Sequence, residues 1–198
     1  MNVISNILYW ISTGLLVPVI VLLIYFFARA LILIGAFFGQ YMNERKTSAT
    51  VEEKIKNCAP EDIAANIEGL SGKNGSLIVK YLKEVADARG NDARMELLVS
   101  EYELEAEKNV ASSKILTKMG PILGLMGTLI PMGPALVGLA TGDIASMAYN
   151  MQVAFATTVV GLVVSAIGFV TQQARERWAM RNLTILDYVA QTFNQQKR

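Results

Sequence analysis

The chain has 198 residues with a formal net charge of +1, and 53% of its residues are hydrophobic, so a mean hydropathy of +0.36 is too high for an ordinary soluble domain of this size. There is no histidine and one cysteine, Cys58, which excludes an intrachain disulfide and a metal cluster of His and Cys ligands. No basic stripe with interleaved aromatic residues is present, so the sequence gives no support to nucleic-acid binding.

Three long apolar runs carry almost no charge: Val3–Gln40, Met119–Ala140 and Ile144–Gln172. Each exceeds the roughly 20 residues that cross a bilayer core. The first run has no basic residue before it and is too long for a cleaved signal peptide. We therefore predict an all-α integral membrane protein with three transmembrane helices.

The first run is longer than a bilayer requires. Arg29 marks the expected exit from the hydrocarbon, because a charge at the bilayer centre is costly. The span is then near Ile7–Phe27, and Pro18 is expected to kink it. The apolar residues after Ala30 continue as a helix on the cytoplasmic side.

The stretch between the first and second runs is polar and predicted to be helical. Leu77, Ile78, Tyr81, Leu82 and Val85 recur at helical spacing and give one apolar face.

A break and a helix cap are expected at Gly90-Asn91-Asp92. Nothing interrupts the pattern between Asp92 and Pro121, so the second membrane helix begins far outside the membrane. Two of the three membrane helices thus extend into a cytoplasmic helical bundle.

Asp143 can cap the third membrane helix. Beyond Gln172, Trp178, Ile185, Val189 and Phe193 predict an amphipathic tail helix. The predicted segments are the first membrane helix with its extension (1–42), the cytoplasmic helical domain (43–113), the second and third membrane helices (114–175) and the tail (176–198).

Basic residues near the predicted spans define the topology. Those flanking the spans are Arg45, Lys46, Lys114, Lys118, Arg175, Arg177 and Arg181. The six N-terminal residues and the loop Thr141–Asp143 contain none. The positive-inside rule then places the N-terminus outside and the C-terminus in the cytoplasm.

Small residues form a stripe along each of the last two spans. The first comprises Gly120, Gly124, Gly127, Pro131, Ala135 and Gly138, and the second Ala154, Thr158, Gly161, Ser165 and Gly168. Such stripes let helices approach closely in lipid. With Pro121, these residues predict either close packing of this helix pair or a narrow pore wall, and a homo-oligomer that buries them.

Two hydroxyl groups adjoin the stripes, those of Thr128 and Thr158. A threonine in a membrane helix can simply bond back to a carbonyl of its own helix. The alternative is that both hydroxyls face a water-filled path and help to pass a hydrated ion or proton. The residues alone leave both interpretations open.

The stretch Gly120–Thr128, GPILGLMGT, resembles the "APLLGLLGTV" signature of the MotA/TolQ/ExbB proton-channel family. Ala154–Leu162, AFATTVVGL, is similar to the family motif "AL–T––GL" on its last helix, with Thr158 rather than Thr157 on the family threonine. The close resemblance covers residues 114–175, and the order of parts resembles the three-span TolQ and ExbB branch.

The resemblance implies an ion-conducting subunit of the inner (cytoplasmic) membrane, and it is the only basis for favouring a proton over sodium. It implies a homopentamer around the helices of single-span MotB/TolR/ExbD-like partners that carry an intramembrane Asp. Ion flow past Thr128 and Thr158 would drive motion of the ring relative to the partner. No cofactor is implied besides the transported ion.

Two departures from the family pattern bear on mechanism. Val153 stands where ExbB-like chains often carry a glutamate, and Asp143 is the only acidic residue from Lys114 to Gln172. The proton carrier is therefore expected on a partner. Pro131 and Pro134 stand where TolQ-like chains usually read WGIM, which leaves the subfamily open.

Two other classes compete with the ion channel. The first is a non-conducting membrane scaffold whose cytoplasmic helices dock a soluble partner. The second is an enzyme, which the sequence disfavours because it has no histidine and no nucleophile motif with a base within reach.

Overall fold

The computed structural model describes residues 2–56, 62–70 and 76–195, and every regular element in these ranges is helical. The helices are α1 (Asn2–Gly14), α2 (Leu16–Lys56), α3 (Ile63–Glu68), α4 (Leu77–Asp87), α5 (Asp92–Thr141) and α6 (Ile144–Gln195). Three stretches, in α1–α2, α5 and α6, are long and apolar enough to cross a membrane. The prediction of an all-α membrane protein with three spans is confirmed. Cys58 lies outside the described residues.

The first span is divided into α1 and α2 at Leu15, one turn before Pro18. Proline has no N–H and its ring crowds the carbonyl four residues earlier, which here belongs to Gly14. The helix resumes when the Val19 N–H bonds to the Leu15 carbonyl at 3.1 Å. The predicted effect of Pro18 therefore appears one turn upstream of the proline itself.

The chain forms two compact units. The first, which we call the membrane unit, comprises residues 1–35 and 112–172. In it, Val19 and Leu23 of α2 pack against Leu123 of α5. Further along α2, Ala30 packs with Val164 of α6 and is fully buried. Helix α2 thus covers one side of the α5–α6 pair.

The second unit, the polar unit, comprises residues 36–111 and 173–198. Its core includes the predicted apolar face of α4, where Ile78, Tyr81, Leu82 and Val85 are buried and Leu77 packs at the edge. The core also contains Val51, Ile55, Ile63, Ile67, Met95, Leu98, Tyr102, Ile185, Leu186, Val189 and Phe193. Within this unit the helices are held together by burial of these apolar side chains.

A polar cavity of about 280 Å³ lies within the polar unit. Arg175 at its wall donates to the Gln40 side-chain oxygen at 2.8 Å and to the Asn109 carbonyl at 3.0 Å. Partial burial lowers the pKa of the Arg175 guanidinium. The buried phenol of Tyr102 lines the same cavity. These contacts tie α2, α5 and α6 together within this unit.

Both predicted helix caps are confirmed. The Asn91 side-chain oxygen accepts from the Arg94 N–H at 3.2 Å at the start of α5. Asp143 accepts from the Ser146 N–H at 3.0 Å at the start of α6. The predicted tail lies within α6, which runs unbroken to Gln195.

Candidate functional site

Helices α5 and α6 touch through their glycines. A Cβ added at Gly161 would lie 2.6 Å from the carbonyl oxygen of Gly120 and 2.9 Å from the Cα of Gly124. Real Cβ atoms do not approach other atoms so closely, and here both neighbours are backbone atoms. In lipid, close backbone packing of this kind drives helix association. These glycines therefore set the separation of the two helices.

The same contact continues in both directions. A Cβ on Gly168 would lie 2.6 Å from the Thr117 nitrogen, and one on Gly138 would lie 3.0 Å from the Asp143 carbonyl oxygen. The remaining residues predicted to pack between the helices differ in solvent exposure. Ala135, Pro131 and Ala154 are buried, Ser165 is half-buried and Pro121 is exposed.

Thr157 occupies the centre of the contact. A Cβ on Gly127 would lie 2.6 Å from the Cβ and the Oγ1 of Thr157. The Thr157 side chain is 7% exposed, and its hydroxyl donates to the carbonyls of Val153 and Ala154 at 3.1 and 2.9 Å. The predicted stripe of small residues contained Thr158 at this level of α6 instead of Thr157. Both threonines lie within one turn of Ala154 and of Gly161, so the spacing in sequence does not separate them, and the contact with Gly127 identifies Thr157 as the packed residue.

Two further hydroxyls are buried between α5 and α6. Thr171 is 1% exposed and Ser113 is 0% exposed, and the Thr171 hydroxyl bonds to the Ser113 oxygen at 3.2 Å. The Thr171 oxygen also lies 2.8 and 3.0 Å from the carbonyl oxygens of Ile167 and Gly168 in its own helix, which are alternative acceptors for its single hydrogen. The hydroxyl pair satisfies polar groups that have no access to solvent.

Thr128 and Thr158 lie at the border of the contact and are half-buried. Successive helical residues are rotated by about 100°. Thr128 is therefore about 140° around α5 from Leu123, which faces α2. By the same count Thr158 is about 120° around α6 from Val164, which also faces α2. Both threonines border the α5–α6 contact on the side that α2 leaves uncovered.

The two residues are also close along the helix axes. A Cβ on Gly124 would lie 3.5 Å from the Thr158 Cα, and Gly124 is about one turn before Thr128. We call this uncovered side of the pair, bordered by Thr128 and Thr158, the threonine groove.

Each threonine hydroxyl donates to its own helix. Thr128 Oγ1 donates to the Leu125 carbonyl at 2.7 Å, and Thr158 Oγ1 donates to the Ala154 carbonyl at 3.1 Å. The hydroxyl oxygens keep lone pairs that can accept from water or bind a cation. The groove thus offers acceptors but no acid, since Val153 is aliphatic and Asp143 stands at the α5–α6 turn. Among the described residues, no cluster of acidic and Cys side chains could hold a metal ion.

No individually curated protein matches the chain. The sequence pattern of the MotA/TolQ/ExbB proton channel family matches residues 33–187. This range contains the threonine groove. It also covers most of the polar unit, whereas the motifs resembled the family only over residues 114–175. Because the match spans well over half of the sequence, the chain belongs to the MotA/TolQ/ExbB proton channel family.

Proposed function

We propose that this chain is the ion-conducting subunit of an energy-transducing motor complex in the inner membrane, and that the ion is a proton. The main support for the proposal is the threonine groove: two hydroxyls of a family motif lie on one uncovered side of a closely packed helix pair. Family membership supports the class of activity. The ion is the transported substrate, and the proposal needs no resident cofactor or enzymatic step.

The groove supplies hydroxyls without a carboxylate. A hydroxyl can order a water chain, but it does not hold a proton as a carboxylate does near neutral pH. The carrier in our proposal is therefore an Asp in the membrane helix of a single-span MotB/TolR/ExbD-like partner. That helix packs along the groove, and Thr128 and Thr158 shape the hydrated route to its Asp.

Five copies surround the partner helices in this proposal, with the N-terminus outside and the C-terminus in the cytoplasm. The side of α5–α6 that α2 leaves uncovered is available for a partner helix, which supports this arrangement. Ion passage then moves the ring relative to the partner, and the work is delivered to another part of the cell envelope.

A second candidate is the non-conducting scaffold. The observation in its favour is that both hydroxyls already donate to their own helices, as a purely structural threonine does. The same variants distinguish the two candidates, because a scaffold does not depend on lone pairs in the groove.

The test uses Thr128→Val and Thr158→Val in the complex that co-purifies with its single-span partner. Valine keeps the β-branched shape and removes the hydroxyl. We expect each change to lower proton flux into liposomes by about 5- to 150-fold, because loss of one polar contact to a desolvated ion costs on the order of 1–3 kcal/mol. Complex yield should be unchanged.

Thr157→Val is the matched control, since Thr157 is buried against Gly127 rather than exposed to the groove. It should affect flux far less than either groove variant. Equal and small effects on flux at all three threonines would favour the non-conducting scaffold over the ion channel.

A further inference from the structure

Pro121 leaves a backbone acceptor without its helical donor. Helix α5 runs unbroken through this proline, but proline has no N–H to offer the carbonyl four residues earlier. That carbonyl belongs to Thr117. In the membrane, a carbonyl freed in this way must find another donor, and neighbouring Ser or Thr side chains commonly supply it.

The donor comes from the other helix. The Ser165 hydroxyl of α6 donates to the Thr117 carbonyl oxygen at 3.0 Å, across 48 positions in sequence. Ser165 can reach it because Gly120 has no side chain: a Cβ there would lie 2.8 Å from the Ser165 nitrogen and 3.1 Å from its Cβ. Pro121 thus frees the Thr117 carbonyl, Gly120 leaves space for the other helix, and Ser165 supplies the hydrogen bond.

This behaviour differs from that of the neighbouring hydroxyls. Serine and threonine in helices ordinarily bond back to their own i−3 or i−4 carbonyl. Thr128, Thr157 and Thr158 do so. Ser165 instead donates to a backbone carbonyl of α5.

The bond lies in line with the threonine groove. Pro121 is seven residues before Thr128 on α5, and Ser165 is seven residues after Thr158 on α6. Seven residues are close to two helical turns, so each pair shares a face of its helix. The Ser165 end of the bond therefore lies about two turns from Thr158, and the Thr117 end lies about three turns from Thr128.

We infer that Ser165 is a positioning residue of the threonine groove: its hydroxyl replaces the N–H that Pro121 lacks and holds α5 in register with α6. The inference rests on the proposed function for its effect on ion flux. The hydrogen bond itself can be tested without any assumption about function.

The hydrogen bond has a direct spectroscopic readout. The dipeptide Thr-Lys occurs once in the sequence, at Thr117-Lys118. Labelling threonine carbonyls with ¹³C and lysine nitrogens with ¹⁵N therefore gives a single carbonyl–amide correlation from the Thr117 carbonyl. Ser165→Ala should move its ¹³C resonance upfield, because a carbonyl that loses a hydrogen bond is less deshielded. Ser165→Thr, which retains a hydroxyl, should restore it.

Pro121→Ala supplies the matched background. Its alanine N–H can bond to the Thr117 carbonyl within α5, so the Ser165 hydroxyl is no longer needed. Adding Ser165→Ala to Pro121→Ala should then leave the ¹³C resonance nearly unchanged. In a Pro134→Ala background, where a different carbonyl gains a donor, Ser165→Ala should have its full effect.

Proton flux should follow the same pattern in the complex with its partner. We expect Ser165→Ala to lower flux roughly three- to tenfold, the range set by loss of one membrane hydrogen bond. The loss should be less than about twofold when Pro121→Ala is already present.

An unchanged ¹³C resonance in Ser165→Ala would overturn the inference outright. It would also be overturned if the resonance moved while flux stayed constant and Thr128→Val still lowered flux, because Ser165 would then act only structurally. If neither threonine variant nor Ser165→Ala altered flux, the proposed function itself would fail.

Discussion

Gly161→Ala is the most direct test of the α5–α6 contact. The added methyl would lie 2.6 Å from the Gly120 carbonyl oxygen, 2.9 Å from the Gly124 Cα and 3.1 Å from the Gly124 nitrogen. All three are backbone atoms, so no side chain can rotate aside and the helices must separate. Overpacking of this kind costs about 1–3 kcal/mol. Alanine recovers about 1 kcal/mol of helix propensity over glycine.

The overpacking cost is at least as large as the propensity gain, and we expect the free energy of unfolding to fall by up to about 2 kcal/mol. Gly133→Ala on α5 is the matched control. Its Cβ would meet only Tyr9 Cε2 at 3.8 Å, an ordinary contact, so stability should hold or rise slightly. Unfolding of the chain in detergent micelles, followed by far-ultraviolet circular dichroism, measures both. If the two variants proved equally stable, the close approach of α5 and α6 would be refuted.

Two further predictions concern the polar unit and the buried hydroxyl pair. Burial raises the pKa of Tyr102 to about 12; since the unfolded chain then releases this proton at lower pH, stability should fall as pH rises from about 10 towards 12. Tyr102→Phe should flatten that dependence in denaturant midpoints measured against pH, and an unaltered slope would contradict the assignment. Thr171→Val should lower the free energy of unfolding by about 1 kcal/mol by leaving the buried Ser113 hydroxyl without this contact. Thr171→Ser, which keeps the hydroxyl, should lose much less, and equal losses would exclude the hydrogen bond as the cause.

The spans and caps could be predicted because their signals are local. Apolar length predicts the membrane helices, and Asn91 and Asp143 carry their capping chemistry in the side chain. The continuity of α6 also has a local cause, since neither Gly nor Pro occurs after Gly168. The polar composition that begins at Gln173 changes the environment of the helix without ending it.

The partners of the small residues could not be predicted, because they are distant in sequence. The stripes indicate close packing but not whether the neighbouring helix belongs to the same chain. In the structure, Gly161 lies against Gly120 of its own chain, so burial of these glycines does not require a second copy. Family spacing selects Thr158, whereas only the position of Gly127 shows that Thr157 is the packed residue.

The turn between α5 and α6 has a consequence for biogenesis. Gly142, with a φ of 75°, closes the turn. Moving away from the turn, the residues in contact are further apart in sequence: first Gly127 with Thr157, then Ser113 with Thr171. The contacts between α5 and α6 can therefore form one after another, starting at the turn, as α6 follows α5 into the membrane. The chain is synthesised at ~5–20 residues per second. At that rate the small-residue face of α5 would be exposed to lipid for only seconds, and a partner chain would bind to an α5–α6 hairpin that has already formed.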